Sequence, residues 1–141
     1  MFKSSNKKGF SIIEAVVAVS ILLIGILAVT QFFPFSQKII GDSQSLSTAS
    51  DLAMAKIEEI QAEPYDSIDI GTIEAKHRLA ATTTDYLYNY QRKSEVAYVD
   101  NNLAETQTDH GFKKITVTVF WPSPIGSREK SIILRSMVTD F

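Results

Sequence analysis

The stretch "KKGFSIIEAVVAVSILLIGILAV", Lys7 to Val29, decides how the chain is read. Two lysines and a glycine run straight into a membrane-grade apolar segment, and one carboxylate, Glu14, sits inside its first turns. No charged side chain occurs from Ala15 to Gln37. That is enough helix to cross a hydrocarbon core, which takes about 20 residues. Lys3, Lys7 and Lys8 flank its front, which keeps the N-terminus cytoplasmic and sends the remainder outward. No A-x-A-type cleavage site closes the apolar run, and the run is long for the core of a secretory signal peptide. It reads as a retained membrane helix.

Glu14 is costly in that setting. A carboxylate loses about 2.5–3.5 kcal/mol at the centre of a membrane helix and less near the interface. One reading places Glu14 at headgroup depth. The other gives it a cation. A cut between Gly9 and Phe10 would leave Phe10 with a new α-amine. Glu14 would then lie one turn inside a new helix start, where the helix dipole also favours an anion. A free amine and a carboxylate attract strongly in a low dielectric, and each is costly alone. Subunits stacked side by side would pair one chain's Glu14 with the next chain's amine.

The same residues resemble the class III signal of type IV prepilins and type II secretion pseudopilins. That signal is a short basic leader ending in glycine, then phenylalanine, a glutamate as fifth residue after the cut, and an apolar helix. Lys7, Lys8, Gly9, Phe10, Glu14 and the run from Ala15 to Val29 supply each element. The resemblance implies a prepilin peptidase/methyltransferase that cuts after Gly9 and N-methylates Phe10. It implies that Glu14 forms the assembly salt bridge with a neighbour's N-terminus. The implied partners are other pilin or pseudopilin subunits, an inner-membrane assembly platform and membrane lipid. The implied location is the bacterial inner membrane, single pass with the C-terminal domain outside, and then a filament.

Beyond the apolar run, Pro34 and Gly41 are expected to kink the helix or end it locally, with Asp42 capping a restart. Leu46, Ala49, Ala53, Ile57 and Ile60 then follow 3/4 spacing and make one apolar stripe. Pro64 stops the helix near Glu63. "KKITVTVFW" alternates Ile115, Val117, Val119 and Trp121 against Thr116, Thr118 and Phe120, the pattern of a strand with one buried face. "EKSIILRSMVTDF" repeats the pattern, and "PSPIGSR" between them is turn chemistry, so the two are expected to form an antiparallel hairpin. Tyr86, Tyr88 and Tyr90, then Val96 and Tyr98, suggest one long bent strand or a hairpin around Arg92–Ser94. "DNNLAETQTDHG" reads as a surface loop. Helix first and antiparallel strands after is an α+β order. The long N-terminal helix, membrane-spanning or filament core in its first half, is expected to pack against a small antiparallel sheet. The expected division is a cleaved leader, residues 1–9; an apolar helix, 10–41; and an exported domain, 42–141, with an amphipathic half-helix over 42–63 and a sheet from about 72.

This order also agrees with the pilin family. "ASDLAMAKIEEIQAEPYDSI" and "ITVTVFWPSP…SIILRSMV" resemble segments of PilV-like minor pilins and pseudopilin I-like proteins. On that resemblance the chain is a minor pilin or pseudopilin that initiates or modifies a filament. A major pilin of a fibre for adhesion, motility or DNA uptake is the alternative within the family. A monomeric anchored envelope binding domain is the alternative outside it.

Composition excludes other classes. The formal net charge is −2 across 141 residues, with no basic run outside the N-terminus, so direct nucleic-acid binding is not expected. The chain has no cysteine, hence no disulfide, thiol chemistry or cysteine–metal site. His77 and His110 lack metal or triad spacing. Asp100, Asn101, Asn102 and Glu105 carry oxygens of the kind calcium takes, yet lack the D-x-D-x-D-G pattern, and a plain turn is the simpler reading. Asp66 and Asp69 read as solvated loop acids. No resident metal, cofactor or catalytic constellation is expected, and the chain is not read as an enzyme.

Overall fold

The computed structural model describes residues 9–123 and 128–140. Lys3, Lys7, Lys8 and the centre of the expected "PSPIGSR" turn lie outside them. One helix, α1 (Ile12–Gln61), is followed by five strands: β1 (Gly71–Arg78), β2 (Gln91–Val99), β3 (Glu105–Thr106), β4 (Phe112–Pro122) and β5 (Glu129–Thr139). The fold is α+β. Contacts divide the chain into two units, one ending at Ile39 and one beginning at Ile40.

In the first unit the apolar side chains of α1 are exposed on every side, from Ile12 to Ile39. Of the two expected outcomes at Pro34, a kink or a local end, the second does not occur: α1 runs on through Pro34 and Gly41 without a restart. Proline removes one N–H and with it one i→i−4 bond. The ladders before and after it remain, and nearby hydroxyls bond back to the turn: Thr30 Oγ1 donates to Leu27 O at 3.0 Å and Ser36 Oγ to Phe32 O at 3.1 Å. Asp42 caps nothing. It lies within α1, and its carboxylate accepts two bonds from Lys130 Nζ, both 2.6 Å.

In the second unit the expected stripe is buried at Ala49, Ala53, Ile57 and Ile60. Leu46 is not part of it; it is 46% exposed, and half-buried Leu52 joins the packing instead. Two fully buried alanines let the sheet come close to the helix. After Gln61 the chain closes with Ala62 N donating to Glu58 O and Glu63 N to Ile60 O, and Pro64 prevents continuation.

The sheet order is β1-β2-β4-β5, with β3 added to β2, and every pairing is antiparallel. β4 is the central contributor. Ile115, Val117, Val119 and Trp121 are all buried, in the expected phase. β5 runs beside it from Phe112↔Thr139 to Pro122↔Glu129, so the expected hairpin partners are paired, with Ile132 and Leu134 opposite Val119 and Val117.

The tyrosine alternation is not a strand. Tyr86–Asn89 forms a short 3-10 turn, and β2 starts only at Gln91 and runs unbroken through Arg92–Ser94. The cause is Asp85, whose side chain accepts from Leu87 N at 2.9 Å and offers the backbone a turn in place of a ladder. β1 has no apolar alternation of its own, and the sheet begins with it at Gly71. It is an edge strand, exposed at every residue but Glu74, and its pairing with β2 shifts register twice. "DNNLAETQTDHG" is a loop carrying the two-residue β3.

Trp121 is 4% exposed within this core. Trp121→Ala is expected to destabilise the protein by about 3–5 kcal/mol, read as a lower midpoint in a denaturant titration. A change below about 1 kcal/mol would mean that the indole does not anchor the core.

Candidate functional site

The residues expected to carry processing and assembly lie at the start of α1. Gly9, Phe10 and Ser11 precede the helix in no regular element. Ser11 O accepts the first helical bond, from Ala15 N at 3.1 Å. Phe10 is 78% exposed. A Cβ added at Gly9 would meet nothing within 4 Å, so packing does not demand glycine there. Glu14 sits in the first turn of α1, exposed, with no ion pair among the described residues. It therefore faces the positive end of the helix dipole from inside an apolar surface. Lys7 and Lys8 lie outside the described residues. Among the described residues, α1 is the one helix long and apolar enough to cross a membrane, and none of its most apolar window is buried.

The polar groups of the second unit hold the fold together. Glu74 on β1 accepts from Arg92 Nε and Nη2 at 2.8 and 3.0 Å and from the buried Ser94 Oγ at 2.9 Å. Burial alone would push the Glu74 carboxyl up. The bonds from Arg92 and Ser94 outweigh it, and the net shift is downward. A carboxylate held ionised while it accepts the serine proton is a poor base for that serine, so the cluster acts as a staple between β1 and β2. His77 Nε2 reaches Glu74 at 3.3 Å from outside.

Lys113 is buried without a carboxylate partner. Its Nζ donates to Tyr65 O at 2.6 Å and Ile68 O at 3.0 Å and lies 4.1 Å from the Tyr65 ring centre. It ties the turn after α1 to β4. The Tyr65 hydroxyl donates to Asp109 at 2.6 Å; burial and this bond push the phenol up, and the same bond pulls Asp109 down. Lys113 was legible in principle, because it is in phase with Ile115 and Val117 and so had to face inward. Glu74 had no such signal.

The calcium candidates are placed in a turn. Asp100 Oδ1 accepts from Asn102 N at 2.8 Å and Ala104 N at 2.9 Å, and Glu105 pairs with Lys114 at 2.7 Å, which holds its carboxyl below the usual range. Among the described residues no three acidic or histidine side chains gather into a cation site.

Residues 4–30 match the family model of the prokaryotic N-terminal methylation motif. The matched segment contains Gly9, Phe10 and Glu14, and it supports a type IV pilin-like or pseudopilin protein. No curated protein and no solved structure matches the chain. The methylation motif implies processing by a prepilin peptidase and assembly with other pilin subunits, and it points to a structural subunit rather than an enzyme. With the long apolar α1 it fits inner-membrane anchoring.

Glu74 supplies a pH signature for the second unit. Its depressed folded pKa adds stability above the ordinary carboxylate range, and that stability is lost as pH falls through the folded value. Glu74→Gln is expected to cost about 1–3 kcal/mol at neutral pH and to flatten the acid limb of a stability–pH curve. The two proteins should converge as the pH drops below the range where Glu74 ionises. Parallel curves would show that Arg92 and Ser94 do not act through the Glu74 charge.

Proposed function

We propose that this chain is a minor pilin or pseudopilin, a structural subunit that initiates or modifies assembly of a type IV pilus or secretion pseudopilus. The observation that carries the reading is the placement of Glu14. An exposed carboxylate lies in the first turn of an uncovered apolar helix, four residues after the Phe10 that a cut at Gly9 would free. The small cysteine-free second unit is consistent with the minor-subunit form of the reading.

The steps follow from charge. Before the cut, Lys3, Lys7 and Lys8 hold the leader on the cytoplasmic side. Cleavage between Gly9 and Phe10 removes those cations and creates one amine at the helix start. N-methylation leaves that amine basic. In the membrane, Glu14 is a cost to each isolated subunit. In a filament, the amine of one Phe10 neutralises the Glu14 of its neighbour, so a mismatch drives correct axial register. The assembly platform and the peptidase are the partners this scheme requires, and the exported part is delivered outside the inner membrane.

Intact-mass analysis of membrane-extracted protein tests the processing step. The expected N-terminus is Phe10 bearing one methyl group. A mature start elsewhere, or an uncut chain in cells with an active prepilin peptidase, sinks the proposal. A cut and methylated Phe10 also separates this reading from a monomeric anchored binding domain.

Glu14→Leu tests the assembly step. It removes a membrane cost, so insertion should be at least as efficient as in the wild type, and cleavage should continue because the Gly9–Phe10 bond is untouched. Entry into filaments should fall sharply, read as the mutant's share in sheared filaments against its share in membranes. An unchanged ratio would mean that Glu14 merely sits at headgroup depth.

A further inference from the structure

The β4–β5 hairpin turns back beside the point where the chain enters the second unit. Ser123 N donates to Arg128 O at 3.2 Å, Pro122 pairs with Glu129, and Lys130, opposite Trp121, reaches Asp42. Asp42 is five residues beyond Gln37, the last of the uncharged run. Five residues span at most about 18 Å however extended. A chain anchored by that run therefore holds this end of the sheet close to the headgroup layer.

Two arginines at this end have no carboxylate. Arg78 Nη1 donates to Tyr88 O at 2.9 Å, and its guanidinium lies 4.2 Å from the Tyr88 ring centre. Arg128 is exposed. Neither makes an ion pair among the described residues. The carboxylates nearby are engaged: Glu129 with Lys76, Asp42 with Lys130, and Asp85 with Leu87 N. Both guanidiniums line one open hollow of about 430 Å³, together with Tyr88, Gln91 and Trp121. The buried Nε1 donor of Trp121 has no acceptor among the described residues, a condition that folded proteins rarely leave in place. Tyr86, on the same 3-10 turn as Tyr88, is 69% exposed. With Trp121 it borders a neighbouring hollow that reaches Ser45 on α1.

Guanidinium forks suit phosphate oxygens, and tyrosine beside tryptophan suits the membrane interface. We infer that this hollow takes the phosphate of an anionic lipid headgroup, held by Arg78 and Arg128, with Tyr86 resting at headgroup depth. The inference rests on the membrane-anchored reading of the chain and adds to it a lipid contact made by the sheet-bearing unit. Such a contact would hold that unit against the leaflet while the subunit stays in the membrane.

Trp121 is the chain's one tryptophan, so its emission reports on the hollow. The full-length protein is reconstituted in phosphatidylcholine vesicles with or without phosphatidylglycerol, both carrying a lipid spin-labelled on its headgroup. Quenching of Trp121 is expected to be at least about twofold stronger with phosphatidylglycerol. Arg128→Glu should abolish that gain, whereas Lys93→Gln, which removes a cation outside the hollow, should leave it. Arg128 is exposed, so Arg128→Glu should keep the wild-type thermal midpoint in neutral vesicles, which separates docking from folding. Glycerol phosphate added to neutral vesicles should not reproduce the change in Trp121 emission. If it does at equal phosphate concentration, the hollow binds a free anion and the lipid assignment fails. A gain that persists in Arg128→Glu, or no gain in protein that floats with neutral vesicles, also overturns the lipid site and leaves the anchored reading standing. Failure to float with neutral vesicles removes the anchored reading, and this inference with it.

Discussion

Between Ile12 and Ile39 an apolar helix has no cover within its own unit, and water does not tolerate that arrangement. Burying one such side chain is worth about 1.5–3 kcal/mol. Summed along the segment, this outweighs the roughly 5–15 kcal/mol that holds an ordinary domain folded. The surroundings of the chain are therefore set by this segment's demand for lipid or for other helices. On the proposed reading, a single carboxylate near its start then sets which neighbour the helix can rest beside. One lost hydrogen bond at Pro34 is small beside that demand, which is consistent with the helix running on.

The second unit meets its own needs. Ala49, Ala53, Ile57 and Ile60 present a face of graded size, and β4 answers with Ile115, Val117, Val119 and Trp121. Polar groups are used at the margins of this core. Glu74 fastens the irregular edge strand to β2, Lys113 fastens the turn after α1, and Lys130 reaches Asp42 on the helix. Each is a long or charged group placed where the apolar contacts run out.

The N-terminal signal and the α+β order were legible because each rests on a strong local pattern. Gly9, Phe10 and Glu14 stand at fixed spacing before an uncharged run, and Ile115 to Trp121 alternate without a break. The errors also have physical causes. Tyr86, Tyr88 and Tyr90 have the period of a strand, but Asp85 diverts the backbone into a turn through a side-chain bond that periodicity does not register. At β1 only the start of the sheet, near residue 72, was expected, because a strand exposed on both faces has no apolar alternation to read. The acids from Asp100 to Glu105, read as a plain turn, do lie in one, with backbone N–H groups and Lys114 as their partners. Leu46 continues the helical stripe in sequence, yet the stripe is covered only from Ala49 onward.

The order of strands along the chain carries a consequence for how the molecule matures. The helix face is made early, but its main cover comes from β4, flanked by β5, which ends at Thr139. Until β4 emerges, from a ribosome or from a membrane channel, the core lacks that cover. β1 and β2 can pair early, but β2 gains its second partner, β4, only after the intervening loop and β3. A truncation of a dozen residues at the C-terminus would thus strip Ile132, Leu134 and Val138 from the flank of the core and leave β4 with an unpaired edge.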